Sequence, residues 1–167
     1  MNDNLTKSDI EKMKAEIEHR KVVTRHELLE HVKEARSHGD LSENFEYHAA
    51  KREKNKNESR IRYLERMVKT ANVIDDSSED GEVGINNTVT VEFIEDKEVE
   101  VYRIVTTIRA DSFKNLISIE SPLGKALMKH KEGDICHLHV NDTVSYDVRI
   151  LKVEDTTDDS QDEISRY

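Results

Sequence analysis

Apolar residues recur in the first part of the chain at helical spacing: Ile10, Met13 and Ile17, then Leu28, Val32 and Ala35 after a lapse across Arg20 to His26. Steps of three and four residues put them on one stripe, narrow enough for a coiled coil. Thr6-Lys7-Ser8-Asp9 has the form of a capping box that opens a helix. Gly39 is suited to close it, because glycine takes the left-handed conformation of a helix C-terminus without steric cost. A second helix is predicted from about Asn44 to Ala71, with a seam of Ala50, Ile61, Leu64, Val68 and Ala71 interrupted by Lys54 and Asn57. The pair reads as an antiparallel hairpin, loosely zipped near its turn and anchored where Ile61 to Ala71 meets Ile10 to Ile17. At about 1.5 Å per residue, a helix from Ile10 to His38 is a rod of roughly 40 Å.

Past Asp75 the period changes. Residues 75–82 are rich in Asp, Ser, Glu and Gly and read as solvated linker. Val89, Val91 and Phe93 then alternate with Thr88, Thr90 and Glu92, and the β-branched run Glu98 to Ile108 predicts a second strand. Leu116 to Glu120 is a third. Ser121-Pro122 supplies an N-cap followed by proline at the first helical position, opening a short helix to about Lys131. Ile135 to Val140 and Val144 to Val153 are predicted to form a hairpin across Asn141-Asp142. The expected architecture is α+β. A coiled-coil hairpin with an acidic tip spans 1–75, a linker 76–85, and an antiparallel β-sheet domain with one short helix 86–154. An acidic tail, read as disordered from its composition, spans 155–167.

Charge sharpens this division. Residues 1–74 hold 16 Lys+Arg against 14 Asp+Glu, whereas 75–167 hold 10 against 22. The first part can therefore approach phosphates although the whole chain is at -10. With 37% charged and 5% aromatic residues, one compact globule is disfavoured. The N-terminus lacks the layout of a signal peptide, no apolar run approaches a membrane span, and the single cysteine, Cys136, has no internal partner. A cytoplasmic protein with no membrane partner is expected.

The chemistry-bearing candidates begin with Asp40 and Glu43 in the turn. Asp-x-x-Glu ahead of a helix is also a capping box, with Asp40 as the N-cap. The alternative is that both carboxylates hold Mg²⁺. That hard cation keeps several waters and takes only one or two carboxylates, so the pair binds it usefully only where a partner's acids and a phosphate complete the shell. Lys51 and Arg52 lie about two turns into the second helix, amid a basic set that reads either as a solvated face laced with ion pairs or as a phosphate track. His130, Cys136, His137 and His139 lack the spacing of a zinc site, since 137 and 139 share a strand face that 136 does not. Phe45 and Tyr47 read as packing residues that close the tip, with base stacking as the alternative.

The run His38-Gly39-Asp40-Leu41-Ser42-Glu43-Asn44, continued by Glu46 to Lys51 and by Glu58-Ser59-Arg60-Ile61, resembles the N-terminal signature of the bacterial Gre transcript cleavage factors. Tyr102 to Val105, Asn115 to Ser118, Ser121 to Leu127 and Gly133-Asp134 resemble that family's second domain. The resemblance covers about Thr6 to Val153. It implies an antiparallel coiled coil joined to an FKBP-like domain that docks on bacterial RNA polymerase, with the coiled coil entering the secondary channel. It further implies that Asp40 and Glu43 hold the second catalytic Mg²⁺, so that the polymerase hydrolyses the 3′ end of backtracked RNA. Lys51 corresponds to a basic position near the transcript, with Arg52 beside it, and Ser121 and Pro122 fall in the region that meets the polymerase. The chain is then an accessory factor, expected as a monomer, and not an enzyme alone. Phe45, Thr106 and Arg109 depart from the family's usual residues, as does the absence of proline near Arg25-His26. Two other readings stand beside this one: a regulator of the same fold that occupies the channel without promoting cleavage, and a coiled-coil chaperone or adaptor in which Asp40 and Glu43 are only caps.

Overall fold

The computed structural model describes residues 3–40 and 43–166. The chain divides into two compact units, one comprising Asp9–Asn72 with the N-terminal end and the other Asn4–Ser8 with Val73–Tyr167. Strand β1 (Asn4–Leu5) precedes helix α1 (Lys7–His19), which runs through a π-helical segment, Arg20–Thr24, into α2 (Arg25–Arg36). The lapse in the apolar stripe coincides with this π segment, where each turn is wider and the side-chain stripe loses its register. Helix α3 (Phe45–Thr70) returns antiparallel to it, and its bounds agree with the sequence expectation to within a residue. Strand β2 (Asn72–Val73) pairs with β1.

The hairpin is held by different chemistry along its length. At the base, Met13, Ile61, Leu64 and Met67 are buried. Val68 and Ala71, expected on the seam, are only half-buried, and Met67 takes the seam place instead. In the middle, beside the π segment, the holding groups are polar. The Glu16 carboxylate accepts from Arg60 Nε (3.0 Å) and Nη2 (3.3 Å) and from Arg20 Nε (2.8 Å). Arg20 Nη1 also donates to Asn57 Oδ1 at 3.0 Å, and Asn57 Nδ2 returns to the Arg20 carbonyl at 3.3 Å. Arg25 grips Glu58 through Nε and Nη2 at 2.8 Å each, and Lys21 pairs with Glu65. Asn57, which the sequence pattern marks as an interruption, is thus buried and bonded, with Arg60 alongside it at 4% exposure.

In the second unit, β3 (Thr88–Phe93), β4 (Glu98–Val105), β5 (Leu116–Ser118), β6 (Ile135–His139) and β7 (Ser145–Glu154) form one sheet in the order β5-β4-β3-β7-β6. The sheet is mixed, because β4 and β5 run parallel while the other pairs are antiparallel. Helix α4 (Pro122–Leu127) ends four residues short of the expected Lys131, where Lys129 takes a positive φ of 67°. One sheet face packs Val89, Val91, Ile104, Cys136, Leu138, Val148 and Ile150 against Leu127 and Val83.

Two boundaries differ from expectation. The linker read over 76–85 does not extend that far, because Val83 and Ile85 are buried and Val83 exchanges backbone hydrogen bonds with Lys129 and His130. The tail read as disordered folds back on the sheet domain: Ser165 N–H donates to the Ile108 carbonyl at 2.7 Å, and the Asp162 side chain is 8% exposed against Arg103 and Arg109.

Candidate functional site

The turn between α2 and α3 is built around Asn44. Its Oδ1 accepts from the Tyr47 N–H at 3.0 Å, which makes it the N-cap of α3, and its Nδ2 donates to the Ala35 carbonyl at 2.6 Å near the end of α2. One side chain therefore satisfies an orphan donor of one helix and a terminal acceptor of the other. Gly39, expected to close the first helix, lies three residues beyond Arg36, where α2 ends, and takes a φ of +133° that favours glycine. His38 Nδ1 lies 2.8 Å from Glu46 Oε2, and the Arg36 guanidinium sits 5.6 Å over the Tyr47 ring. The Arg36 hydrogen bond holds the Tyr47 phenol below its usual range, against the opposing effect of burial.

Asp40 and Glu43 are exposed in this turn. The N-cap of α3 is Asn44, so the capping role weighed for Asp40 is filled by another residue. Leu41 and Ser42, between the two acids, lie outside the described residues. Phe45 does not close the tip as expected, since it is 85% exposed at the first position of α3; Tyr47 is the aromatic that packs. Lys51 and Arg52 are exposed on α3. Their solvated heads sit on a helix fixed at its start by the Asn44 cap and farther along by the Glu58 and Glu16 pairs.

Two exposed carboxylates suit a hard cation that keeps most of its own waters. Among the described residues no group of three or more His, Cys, Asp or Glu could enclose a metal. On β6, Cys136 faces the core while His137 and His139 are exposed, and His137 pairs with Asp147 at 2.9 Å. Burial, with Asp134 adding to it, pushes the Cys136 thiol up to about 11.

In the second unit, Ser121 and Pro122 open α4. Ser121 Oγ accepts from the Gly124 N–H at 3.0 Å and donates to the Ser118 carbonyl at 2.6 Å, while Pro122 stands exposed at the first helical position. Gly124 is required there, because a Cβ would come within 2.0 Å of the Ser118 carbonyl oxygen. Sequence reasoning missed Asn44 as cap and the Arg103–Arg109–Asp162 cluster. The Asn44 side chain could have been found as a preferred capping type directly before the helical pattern.

A helical hairpin with exposed acids at its turn, followed by a small mixed-sheet unit, defines a two-domain α+β protein whose distinctive groups lie at the end of an arm. The profile "Transcription elongation factor, N-terminal" matches residues 4–73, and "Transcription elongation factor, GreA/GreB, C-term" matches 78–155. The chain is 46% identical over 153 residues to "Transcription elongation factor GreA" of Streptococcus gordonii, covering 91% of this chain and 95% of that protein. The Streptococcus suis protein of the same name is 45% identical over the same shares. A solved GreA factor homolog 1 from Thermus thermophilus is 25% identical at a TM-score of 0.42, covering 92% of this chain and 99% of the other. The chain belongs to the GreA/GreB family of transcription elongation factors and is of the GreA type.

Among the described residues no helix is long and apolar enough to cross a membrane.

Proposed function

We propose that the chain acts on bacterial RNA polymerase, inserting its hairpin into the secondary channel so that Asp40 and Glu43 complete a Mg²⁺ site and the polymerase cleaves the 3′ end of a backtracked transcript. The observation that carries this reading is the exposure of Asp40 and Glu43 in the turn that the Asn44 cap closes. The two carboxylates would hold the cation, directly or through its waters, and orient a water by hydrogen bonding, while the polymerase and the RNA phosphate would supply the remaining ligands. The bound cation supplies Lewis-acid polarisation of the phosphate and acidifies that water. Lys51 and Arg52 present mobile cations that can neutralise transcript phosphates. Ser121 and Pro122 form the rigid start of α4 with which the sheet domain meets the polymerase. The factor lends groups to another protein's active site, so the chain alone is not an enzyme, works as a monomer, and belongs in the cytoplasm with the polymerase.

The test is a stalled, backtracked polymerase complex with labelled RNA, Mg²⁺ and the full chain. Short 3′ fragments are expected, and Asp40→Ala or Glu43→Ala should abolish them while leaving polymerase binding intact. Arg52→Ala and Lys51→Ala should each lower cleavage and flatten its dependence on salt, because each removes about one phosphate contact. Cleavage that survives loss of both acids defeats the role of the tip. Binding without cleavage by the wild type indicates a channel-occupying regulator, and absence of binding indicates an adaptor unrelated to polymerase.

A further inference from the structure

The segment after the sheet's last strand lies beyond the matched family region, which ends at residue 155, yet it is among the most heavily bonded parts of the second unit. Arg103 Nη1 donates to both Asp162 oxygens at 2.7 and 2.8 Å, its Nη2 to the Asp158 carbonyl at 3.0 Å, and its Nε to the Asn86 carbonyl at 3.0 Å. Arg109 Nη1 donates to Asp162 Oδ2 at 2.8 Å and to Asn86 Oδ1 at 2.6 Å. The Arg109 side chain is wholly buried, with Asp159 Oδ2 a further 4.0 Å from the same nitrogen. Asn87 Nδ2 holds Asp155 at 3.0 Å, and Thr156 Oγ1 donates to the Asn86 carbonyl at 2.6 Å. An arginine enclosed in this way needs an acid beside it, and the nearest is on the tail.

The strap does not end at the arginines. Ser165 N–H bonds the Ile108 carbonyl, and the neighbouring Thr107 Oγ1 is 2.6 Å from Ser118 Oγ. The Ser118 carbonyl takes the Ser121 hydroxyl, and Ser121 caps α4. The Ile119 N–H also bonds the Val105 carbonyl at 2.8 Å. A continuous set of bonded residues thus leads from the tail to the start of α4.

We infer that residues 155–166 are an acidic strap whose Asp162, clasped by Arg103 and Arg109, positions the Ser118–Pro122 loop for docking. The inference rests on the function proposed above in so far as that loop meets polymerase. Asp162 is a positioning residue that acts through Arg109 and the 107–118 contact and touches no substrate.

Two measurements on the full chain test it: amide hydrogen exchange, and cleavage of a backtracked complex titrated with factor. In Asp162→Ala the Ser165, Gly124 and Lys125 amides should all lose protection, although only the first belongs to the tail. The factor concentration for half-maximal cleavage should rise roughly tenfold, because breaking a buried ion pair releases the strap almost completely. The maximal rate should not change, and Asp162→Glu should recover part of the affinity. A general loss of structure would expose amides of β3 and β7 as well, and such a pattern overturns a positioning role. Deprotection confined to the tail, with unchanged half-saturation, also overturns it. A wild-type chain that never engages polymerase refutes the proposed function, and exchange at Gly124 and Lys125 then decides the strap by itself.

Discussion

Glu16→Ala tests the claim that charge, and not apolar packing, holds the middle of the hairpin. The substitution removes three charge-assisted hydrogen bonds and leaves the Arg60 guanidinium, whose side chain is 5% exposed, without its carboxylate. Removing one partner of a fully buried pair costs about 3–5 kcal/mol. Glu16 is 25% and Arg20 30% exposed, so water screens part of the interaction and about 2–3 kcal/mol is a better figure here. For a unit of this size each kcal/mol moves the melting temperature by about 4–8 °C, giving a fall of roughly 10–20 °C near pH 7. Burial alone would push the Glu16 carboxyl up, but the hydrogen bonds and charges of Arg60 and Arg20 outweigh it and hold the group below its ordinary 4.5. A folded pKa below the unfolded one contributes stability that is present above the unfolded value and is lost as pH falls through the folded value. The gap between wild type and variant should therefore narrow on acidification below the ordinary 4.5 and close once the pH has fallen through the folded value, where the wild-type carboxyl has also lost its charge. Glu58, held below the usual range chiefly by its hydrogen bond from Arg25, adds a loss on acidification that wild type and variant share. Far-UV circular dichroism, dominated by the long helices, follows the melt. A gap of equal size at neutral pH and below the folded value would refute the ionic account and assign the loss to packing of the Glu16 methylenes.

Asn44 and Gly124 give two further checks. Asn44→Asp keeps an oxygen for the α3 cap but removes the amide that donates to Ala35, whereas Asn44→Ala removes both. The losses should be about 1 kcal/mol for Asp and about 2 for Ala by thermal melting; an Asp variant as stable as the wild type would mean that the Ala35 bond contributes nothing, and equal losses that the cap bond to Tyr47 contributes nothing. Gly124→Ala drives a methyl toward the Ser118 carbonyl, 2.0 Å from the ideal Cβ, so the loop or helix must shift at a cost of about 2–3 kcal/mol. Denaturant unfolding of the full chain measures it, and a change under half a kcal/mol would show that the loop yields freely.

Much of the fold was legible because local signals agreed with one another. The seam at Ile61 and Leu64, the Ser121-Pro122 start of α4 and the alternation of Val89 and Val91 each follow from periodicity or capping chemistry and recur in the structure. What escaped the sequence was pairing over distance. Asn57 looks like a break in the seam and Arg60 like part of a charged face, until Arg20 and Glu16 stand opposite them, 37 and 44 residues away. The acid-rich tail looks unable to bury anything, and its partners Arg103 and Arg109 lie 59 and 53 residues back. Arg109 departs from the family's usual residue and the tail lies beyond the matched region, and the structure makes them each other's counterpart. At the tip, Asp40 and Asn44 are both good capping types, and local chemistry cannot choose between them. The Ala35 carbonyl decides, because only a side chain with a donor as well as an acceptor serves both helices.

That choice bears on how the two units divide the work. Asn44 fixes the turn, and a pair of acids too few to enclose Mg²⁺ can act only when other ligands are brought to them. On the proposed function, the tip acids would govern the chemical step, whereas the loop at Ser121 and the strap that bonds toward it would govern how often the hairpin is delivered. In a titration against backtracked polymerase, changes at Asp40 or Glu43 should lower the plateau without moving the midpoint, and changes at Asp162 or Gly124 should move the midpoint without lowering the plateau. Combining Glu43→Gln with Asp162→Ala should reproduce both effects independently, since the sites lie in separate units. A midpoint shift in Asp162→Ala that vanished in the Glu43→Gln background would show that tip and strap act on the same step.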